Sequence, residues 1–281
     1  MSGIAWVKGK FVDPLNPSLG VQDRGFLHGD GLFETMRLQN CRPLHWEEHL
    51  ARLRNGCDTL NISFPLEEVC KGVREASAKL KNGVLRLTVT RGESPGRGLL
   101  PPGKSDATVV VTGYTGEPYP EESYEKGFSA CLISFPRSQL SPLVKLKSLN
   151  CLENILGRME AAAAGKNEGV FRNYLGEIAE GTISNVFLVI EGKLITPPPE
   201  CGLLPGIMRA QVLALAKNLG VTAIQEKVYP QDFYRADESF LTNSLMGVMP
   251  LVSFDGNPIG KGSPGPITHM LYQGIKKGWL G

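Results

Sequence analysis

Residues 31–60 read GLFETMRLQNCRPLHWEEHLARLRNGCDTL. Two periods meet in this stretch. Leu32 to Leu38 alternates in the manner of a strand, and Gln39-Asn40 offers a turn. Trp46, Leu50, Leu53, Cys57 and Leu60 then recur at spacings of four and three, which places them on one face of an α-helix. Upstream, Ile4 to Val7 and Lys10 to Val12 flank Lys8-Gly9, a hairpin signal. Downstream, a second helix is expected from near Pro65 to about Leu80, followed by apolar, β-branched strands at Val84 to Thr90 and Thr108 to Thr112. Gly92-Glu93-Ser94-Pro95-Gly96-Arg97-Gly98 between those strands is a loop rich in breakers.

The polar, turn-rich run from Gly113 to Gly127, GYTGEPYPEESYEKG, divides the chain. The expected organisation is a smaller N-terminal α/β domain over residues 1–115, a linker over 116–127 and a larger C-terminal domain over 128–281. The second half should hold strands near Phe128 to Ile133, Val186 to Ile190, Val221 to Gln225 and Ser239 to Thr242. It should also hold two helices. One runs from about Leu149 to Ala164 and is closed by Gly165; the other runs from Pro205-Gly206 to Leu219-Gly220. Elements of both kinds in both halves suggest two α/β or α+β domains with a site between them.

Composition narrows the function. With 281 residues, 42% hydrophobic and 21% charged, the chain is long and apolar enough to bury a core without staples. Its 30 basic and 28 acidic residues leave a net charge of +2, which gives no electrostatic case for nucleic acid. The apolar runs fall far short of a membrane span, and Met1 to Lys8 shows no secretory signal. Six scattered cysteines without a C-x-x-C pair suit reduced thiols in the cytoplasm. His45 and His49 are four apart but lack the glutamate of a zinc-protease helix, so no metal site is expected.

No phosphate loop, dinucleotide fingerprint or nucleophile elbow is present. The candidates sit elsewhere. Lys147 closes the alternation of Val144-Lys145-Leu146-Lys147; in a pocket its amine would lose solvation and could form a Schiff base, whereas at a surface it is an ordinary solvated lysine. Gly202-Leu203-Leu204-Pro205-Gly206-Ile207-Met208-Arg209 opens a helix whose free N–H groups suit a phosphate, although most helix starts bind nothing. Glu180 precedes Gly181-Thr182-Ile183-Ser184-Asn185 and an apolar strand. Buried, its carboxylate could hold a protonated ring nitrogen; otherwise the segment is a surface turn. Arg52 lies beside the apolar stripe of the first helix and either pairs with Glu48 or contacts a phosphate. Thr242-Asn243-Ser244 offers hydroxyl, amide and backbone donors at a strand end. Arg91 and Arg97 flank the Gly/Pro loop and either receive a substrate carboxylate or are merely solvated.

Their order along the chain is informative. Asp23-Arg24-Gly25, His28-Gly29-Asp30-Gly31-Leu32-Phe33-Glu34-Thr35, His49-Leu50-Ala51-Arg52-Leu53, Lys147-Ser148-Leu149-Asn150, Glu180 to Phe187, Leu204 to Arg209 and Thr242-Asn243-Ser244 together resemble the class IV aminotransferase family. These are pyridoxal-phosphate enzymes of fold type IV. The resemblance implies that Lys147 forms the Schiff base with the cofactor and that Glu180 pairs with its pyridine nitrogen. It implies that Arg52, the backbone amides of Ile207 and Met208, and the turn at Asn243 and Ser244 hold its phosphate. The family usually has threonine where Met208 stands, so a backbone contact is kept there and a hydroxyl contact is not. The tyrosine that the branched-chain branch places near the cofactor's phenolic oxygen has no counterpart in Asn150-Cys151-Leu152. A homodimer is also implied by the resemblance.

Within the family, Asn82 to Gly92 with Gly96-Arg97-Gly98, and Thr242 to Pro250, look most like aminodeoxychorismate lyase, a carbon–carbon lyase that makes 4-aminobenzoate and pyruvate for folate synthesis. That resemblance makes Arg97, Arg91 and Phe33 the candidate contacts for an amino substrate bearing a carboxylate. D-amino-acid transaminase is the alternative, but its Arg-x-His trap is replaced by Gly96-Arg97-Gly98 and its tyrosine by Phe33. Branched-chain and (R)-amine transaminases follow, then a non-catalytic binding module on the same fold.

Overall fold

The computed structural model describes residues 3–94, 98–101, 103 and 106–280. It divides into two compact units: Met1–Pro118 with Leu146–Asn150, and Tyr119–Lys145 with Cys151–Gly281.

In the first unit the strands are β1 (Gly3–Val7), β2 (Lys10–Val12), β3 (Gly31–Gln39), β4 (Arg42–Pro43), β5 (Gly83–Thr90) and β6 (Thr108–Tyr114); the helices are α1 (Arg24–His28), α2 (Trp46–Leu60) and α3 (Leu66–Leu80). The strands form an antiparallel sheet in the order β2-β1-β6-β5-β3-β4. One face is dry. Trp6, Leu32, Met36, Leu85, Leu87, Val109 and Val111 lie against Leu53 and Cys57 of α2 and Val69, Val73 and Ala76 of α3. Trp6 is fully buried, and its indole N–H donates to Glu75 at 2.8 Å, so the one polar atom of the ring is satisfied. Truncating it to alanine would cost about 3–5 kcal/mol. The other face carries Phe33, Thr35, Arg86, Thr88 and Thr112, the polar half of the alternation.

Residues 146–150 extend this sheet. Phe33 N donates to Lys147 O at 2.9 Å and Leu149 N to Gly31 O at 3.0 Å, with Leu32 opposite Ser148 between them. Gly31 permits the approach, because a Cβ there would lie 2.7 Å from Val89 O and 2.9 Å from Leu149 Cδ1. The helix expected from Leu149 therefore starts later, at Leu152. The Leu149 N–H is bound to β3, and Asn150 Nδ2 donates to Gly29 O at 3.0 Å. These bonds keep the segment extended to that point.

In the second unit the helices are α4 (Glu121–Lys126), α5 (Leu152–Ala163), α6 (Ile207–Asn218), α7 (Asp232–Arg235) and α8 (Pro266–Leu280). The strands are β7 (Phe128–Leu132), β8 (Glu168–Arg172), β9 (Ile178–Gly181), β10 (Asn185–Ile190), β11 (Lys193–Thr196), β12 (Ala223–Gln225), β13 (Glu238–Asn243), β14 (Gly247–Phe254) and β15 (Asn257–Pro258). The sheet runs β12-β11-β10-β13-β14-β7-β8-β9, with β15 on β14; the β11–β12, β14–β7 and β7–β8 pairs are parallel. The turn between β9 and β10, the start of α6 and the end of β13 are tied together by hydrogen bonds, and these ties build one end of the candidate site.

Candidate active site

The candidate residues fall into two groups, one in each unit. In the first, the antiparallel bridge to β3 sets Lys147 opposite Phe33, and Lys147 Nζ lies 4.6 Å from the centre of the Phe33 ring. Arg86 projects from β5 one diagonal step away, with its guanidinium carbon 3.7 Å from the same ring. A flat apolar ring thus carries two cationic groups, one of them on a half-buried lysine. Arg86 was missed by sequence reasoning. Its signal was present: it is the one charged residue in the alternation Val84-Leu85-Arg86-Leu87-Thr88, on the polar face.

On the opposite face of β3, Glu34 is buried at 1% exposure and accepts from Arg52 Nε at 2.8 Å, Arg52 Nη2 at 2.6 Å and His49 Nδ1 at 2.6 Å. Burial works to raise the Glu34 carboxyl, but the hydrogen bonds from Arg52 and His49 prevail and hold it below its ordinary range. The sequence pointed to Glu48 as the Arg52 partner; the structure shows Glu34, eighteen residues away and across the helix–sheet contact. The fork binds through Nε and Nη2, and Nη1 has no hydrogen-bond partner among the described residues. His49 is therefore held by a carboxylate, whereas His45 sits just outside α2 with a left-handed φ of 55°.

Arg91 is buried, and its guanidinium binds Asp30 at 2.7 and 3.1 Å and the carbonyls of Asn61 and Leu60 at 2.9 and 2.8 Å. Arg24 shares Asp30 at 2.8 Å. Burial would raise the Asp30 carboxyl; Arg91 and Arg24 bring it below its usual value instead. These bonds make Arg91 a strut of the fold, in place of the solvated or carboxylate-binding loop residue expected from sequence. Arg97 lies outside the described residues.

In the second unit Glu180 ends β9 and is buried. Oε1 accepts from Arg137 Nη1, and Oε2 from Leu204 N at 3.0 Å and Asn185 Nδ2 at 3.3 Å. The turn that follows is fixed by a second buried carboxylate, Glu168, which accepts from the Thr182 hydroxyl and, at 2.9 Å, from the Ser184 hydroxyl. Asn185 Nδ2 also donates to Leu204 O at 2.9 Å, and a Cβ at Gly206 would lie 2.0 Å from Asn185 Oδ1, so only glycine fits at the helix entry.

At the start of α6 the side chains of Ile207 and Met208 are buried, so they offer the site only backbone. Gly206 supplies no side-chain cap, and first-turn N–H groups have no acceptor within the helix. Arg209 follows. It is buried, its Nη2 donates to Pro197 O and Gln225 Oε1 at 2.8 Å each, its Nε has no partner, and no carboxylate lies within ion-pair distance among the described residues. Burial pushes the Arg209 guanidinium down. The Glu200 carboxylate offsets part of that burial, and an uncapped helix start beside a buried cation favours an anion. Asn243 shapes the third side: Oδ1 accepts from Leu245 N and Met246 N at 2.9 Å each, and Nδ2 donates to Ile183 O at 3.1 Å. Ser244 sits at the tip of that turn, half-buried.

Comparison with known proteins identifies the family. Residues 31–254 match the family model for class IV aminotransferases. A relative from Methanocaldococcus jannaschii, provisionally named a branched-chain-amino-acid aminotransferase, is 34% identical over 96% of this chain and 94% of its own. The D-alanine aminotransferase of Bacillus licheniformis is 32% identical over 97% of this chain and 95% of its own. Among solved structures, 4-amino-4-deoxychorismate lyase from Pseudomonas aeruginosa superimposes with a TM-score of 0.87 and 33% identity, covering 97% of this chain and 98% of that one. The chain belongs to the class IV aminotransferases and has the fold of type IV pyridoxal-phosphate enzymes. Among the described residues, no helix is long and apolar enough to cross a membrane.

Proposed function

We propose that the protein is an aminodeoxychorismate lyase that converts 4-amino-4-deoxychorismate to 4-aminobenzoate and pyruvate. The observation that carries this reading is the Phe33 ring with Arg86 at 3.7 Å and Lys147 Nζ at 4.6 Å. A flat ring without a hydroxyl suits a six-membered carbocycle, and a guanidinium beside it suits that ring's carboxylate. The full-length likeness to the Pseudomonas lyase supports the same reading.

Pyridoxal 5′-phosphate supplies, when bound, an electron sink for charge that develops at the substrate carbon. The residues present fit it. Lys147 Nζ would be the amine that holds its aldehyde carbon and, when free, would take the proton from the amine-bearing carbon of the substrate. Arg52, with Nη1 uncommitted, the backbone N–H groups of Ile207 and Met208, and the Asn243–Ser244 turn would hold its phosphate, and Arg209 would add positive potential. Glu180 would accept a hydrogen bond from its protonated ring nitrogen. Arg86 and Arg97 would receive substrate carboxylates, and Arg91 holds the fold. Loss of the proton from the amine-bearing carbon would let enolpyruvate depart with the electron pair of its C–O bond to the ring, drawn forward by aromatisation, and enolpyruvate tautomerises to pyruvate.

The six cysteines are free thiols, which fits a reducing compartment such as the cytoplasm. Leu152, Ile155, Leu156 and Met159 form an exposed apolar stripe at helical spacing on α5, a surface that a second copy would cover in a homodimer.

A paired assay tests the reaction. With aminodeoxychorismate, 4-aminobenzoate should accumulate; with D-alanine or a branched-chain amino acid and 2-oxoglutarate, transfer should be slow. Fast amino transfer without aromatic product would replace the lyase by the transaminase that the curated relatives suggest.

A further inference from the structure

Arg137 is the buried charge that sequence reasoning passed over. It lies between β7 and the 3₁₀ turn Pro142–Lys145, in a stretch, Phe135-Pro136-Arg137-Ser138, without periodicity or motif. Four features fix it. Its backbone N–H donates to Arg172 O at 2.8 Å. Its guanidinium carbon stands 4.3 Å from the centre of the Phe171 ring. Nε donates to Glu153 at 2.7 Å, and Nη1 donates to Glu180 Oε1. The two carboxylates are not equivalent, because Glu153 is 41% exposed and Glu180 only 9%. Solvent screens the first pair, so the guanidinium acts chiefly on the second.

We propose that Arg137 is a positioning residue that keeps Glu180 ionised and aimed, and thereby keeps the proton on the ring nitrogen of the bound cofactor. The inference rests on reading Glu180 as the partner of that nitrogen. The hydrogen-bond partners of Glu180 include a guanidinium, the Leu204 N–H and the Asn185 amide, each of them a donor. Such a set favours the carboxylate over the carboxylic acid. With the guanidinium in place, a proton shared between the ring nitrogen and Glu180 stays on nitrogen, and the ring remains a strong electron sink. Without it, the buried carboxylate takes the proton more readily, because desolvation disfavours its charge. The ring nitrogen is then neutral and the sink weaker. Leu204 N and Asn185 Nδ2 bind the other oxygen, Oε2, and neither carries a charge.

The test compares binding of two probes to the apoprotein, followed by tryptophan fluorescence: pyridoxal phosphate, and its 1-deaza analogue, in which a C–H replaces the ring nitrogen. Both offer the same aldehyde and phosphate, so only the ring-nitrogen interaction differs. Wild type should favour pyridoxal phosphate by roughly tenfold or more, the scale of a charged hydrogen bond. Glu180→Gln should abolish the preference; a preference that survives in it overturns the Glu180 reading and this inference with it. Arg137→Met should reduce the preference by about tenfold, whereas Arg137→Lys, which keeps the charge, should retain most of it. A full preference in Arg137→Met, beside a lost one in Glu180→Gln, overturns the role of Arg137 and leaves that of Glu180 standing. An equal fall in the Lys and Met variants would mean that shape and not charge is at work, and also overturns the proposal. Should Arg137→Met not fold, ring ¹⁵N-labelled pyridoxal phosphate in the wild-type protein decides: the proposal expects the chemical shift of a protonated ring nitrogen near neutral pH, and that of a neutral nitrogen contradicts it.

Discussion

Glu34 in the first unit and Glu180 in the second are both buried carboxylates bound by an arginine, yet the two pairs are built for opposite ends. Glu34 is enclosed by protein donors, with Arg52 on both oxygens and His49 on one, while Arg52 keeps 18% side-chain exposure and an uncommitted Nη1. There the acid is the anchor and the cation is the working group. In the other pair Arg137 is the deeper partner, at 4% against 9%, locked by Glu153 and Phe171, and Glu180 is the group that the proposed function offers to the cofactor. The same ion pair can therefore present a cation to a phosphate or an anion to a ring nitrogen, depending on which partner the surrounding protein holds.

Substitutions separate the two cases. Glu180→Gln should lower kcat by about 10²–10³-fold, the scale for losing one preorganised electrostatic partner, with little change in stability; a kcat within a few-fold of wild type would remove it from the site. Glu34→Gln should do the reverse. It leaves Arg52 and His49 without their acid and should cost about 3 kcal/mol in chemical denaturation of the apoprotein, the low end for a broken buried pair. The difference should depend on pH. Glu34 titrates below its ordinary 4.5 in the native state, so its contribution is whole above that value and is lost as pH falls through the native one. The stability gap between wild type and Glu34→Gln should stay level down to about pH 5 and narrow in stronger acid; a gap that widens in acid contradicts the sign. Arg52→Ala should raise the dissociation constant for pyridoxal phosphate by roughly ten- to a hundredfold, read by fluorescence titration. The smallest effect belongs to the ring face: Arg86→Ala should raise KM for a carboxylate substrate by about tenfold with kcat little changed, whereas Arg91→Ala should lower stability instead, because its donors bind Asp30 and carbonyl oxygens.

The contrast also shows what the sequence could and could not disclose. The apolar face of α2 was legible because Trp46, Leu50, Leu53 and Cys57 are local and periodic. Lys147, Glu180 and the α6 entry could be singled out because each lies at the junction of a periodic segment and a turn; the roles given to them belong to the proposed function. The partners were not. Arg52 has an obvious neighbour in Glu48 one turn away, but the sheet brings Glu34 closer, and no local pattern encodes a contact between helix and strand. Arg137 and Arg91 look like loop residues because exposure is a property of the folded chain; both are buried, their charges met by carboxylates remote in sequence. The late start of α5 has the same origin, since bonds to β3 and to Gly29 hold Leu149 and Asn150 outside the helix expected to include them.

The central claim is that the amine of Lys147, held opposite Phe33 by two backbone hydrogen bonds, is the group that bonds to the cofactor. Borohydride reduction of the holoprotein, followed by proteolysis and peptide mass spectrometry, tests it directly. The account predicts one phosphopyridoxyl group, on the peptide containing Lys147, and none in Lys147→Ala. A label on a different lysine, or none on a protein that still turns over, would contradict it.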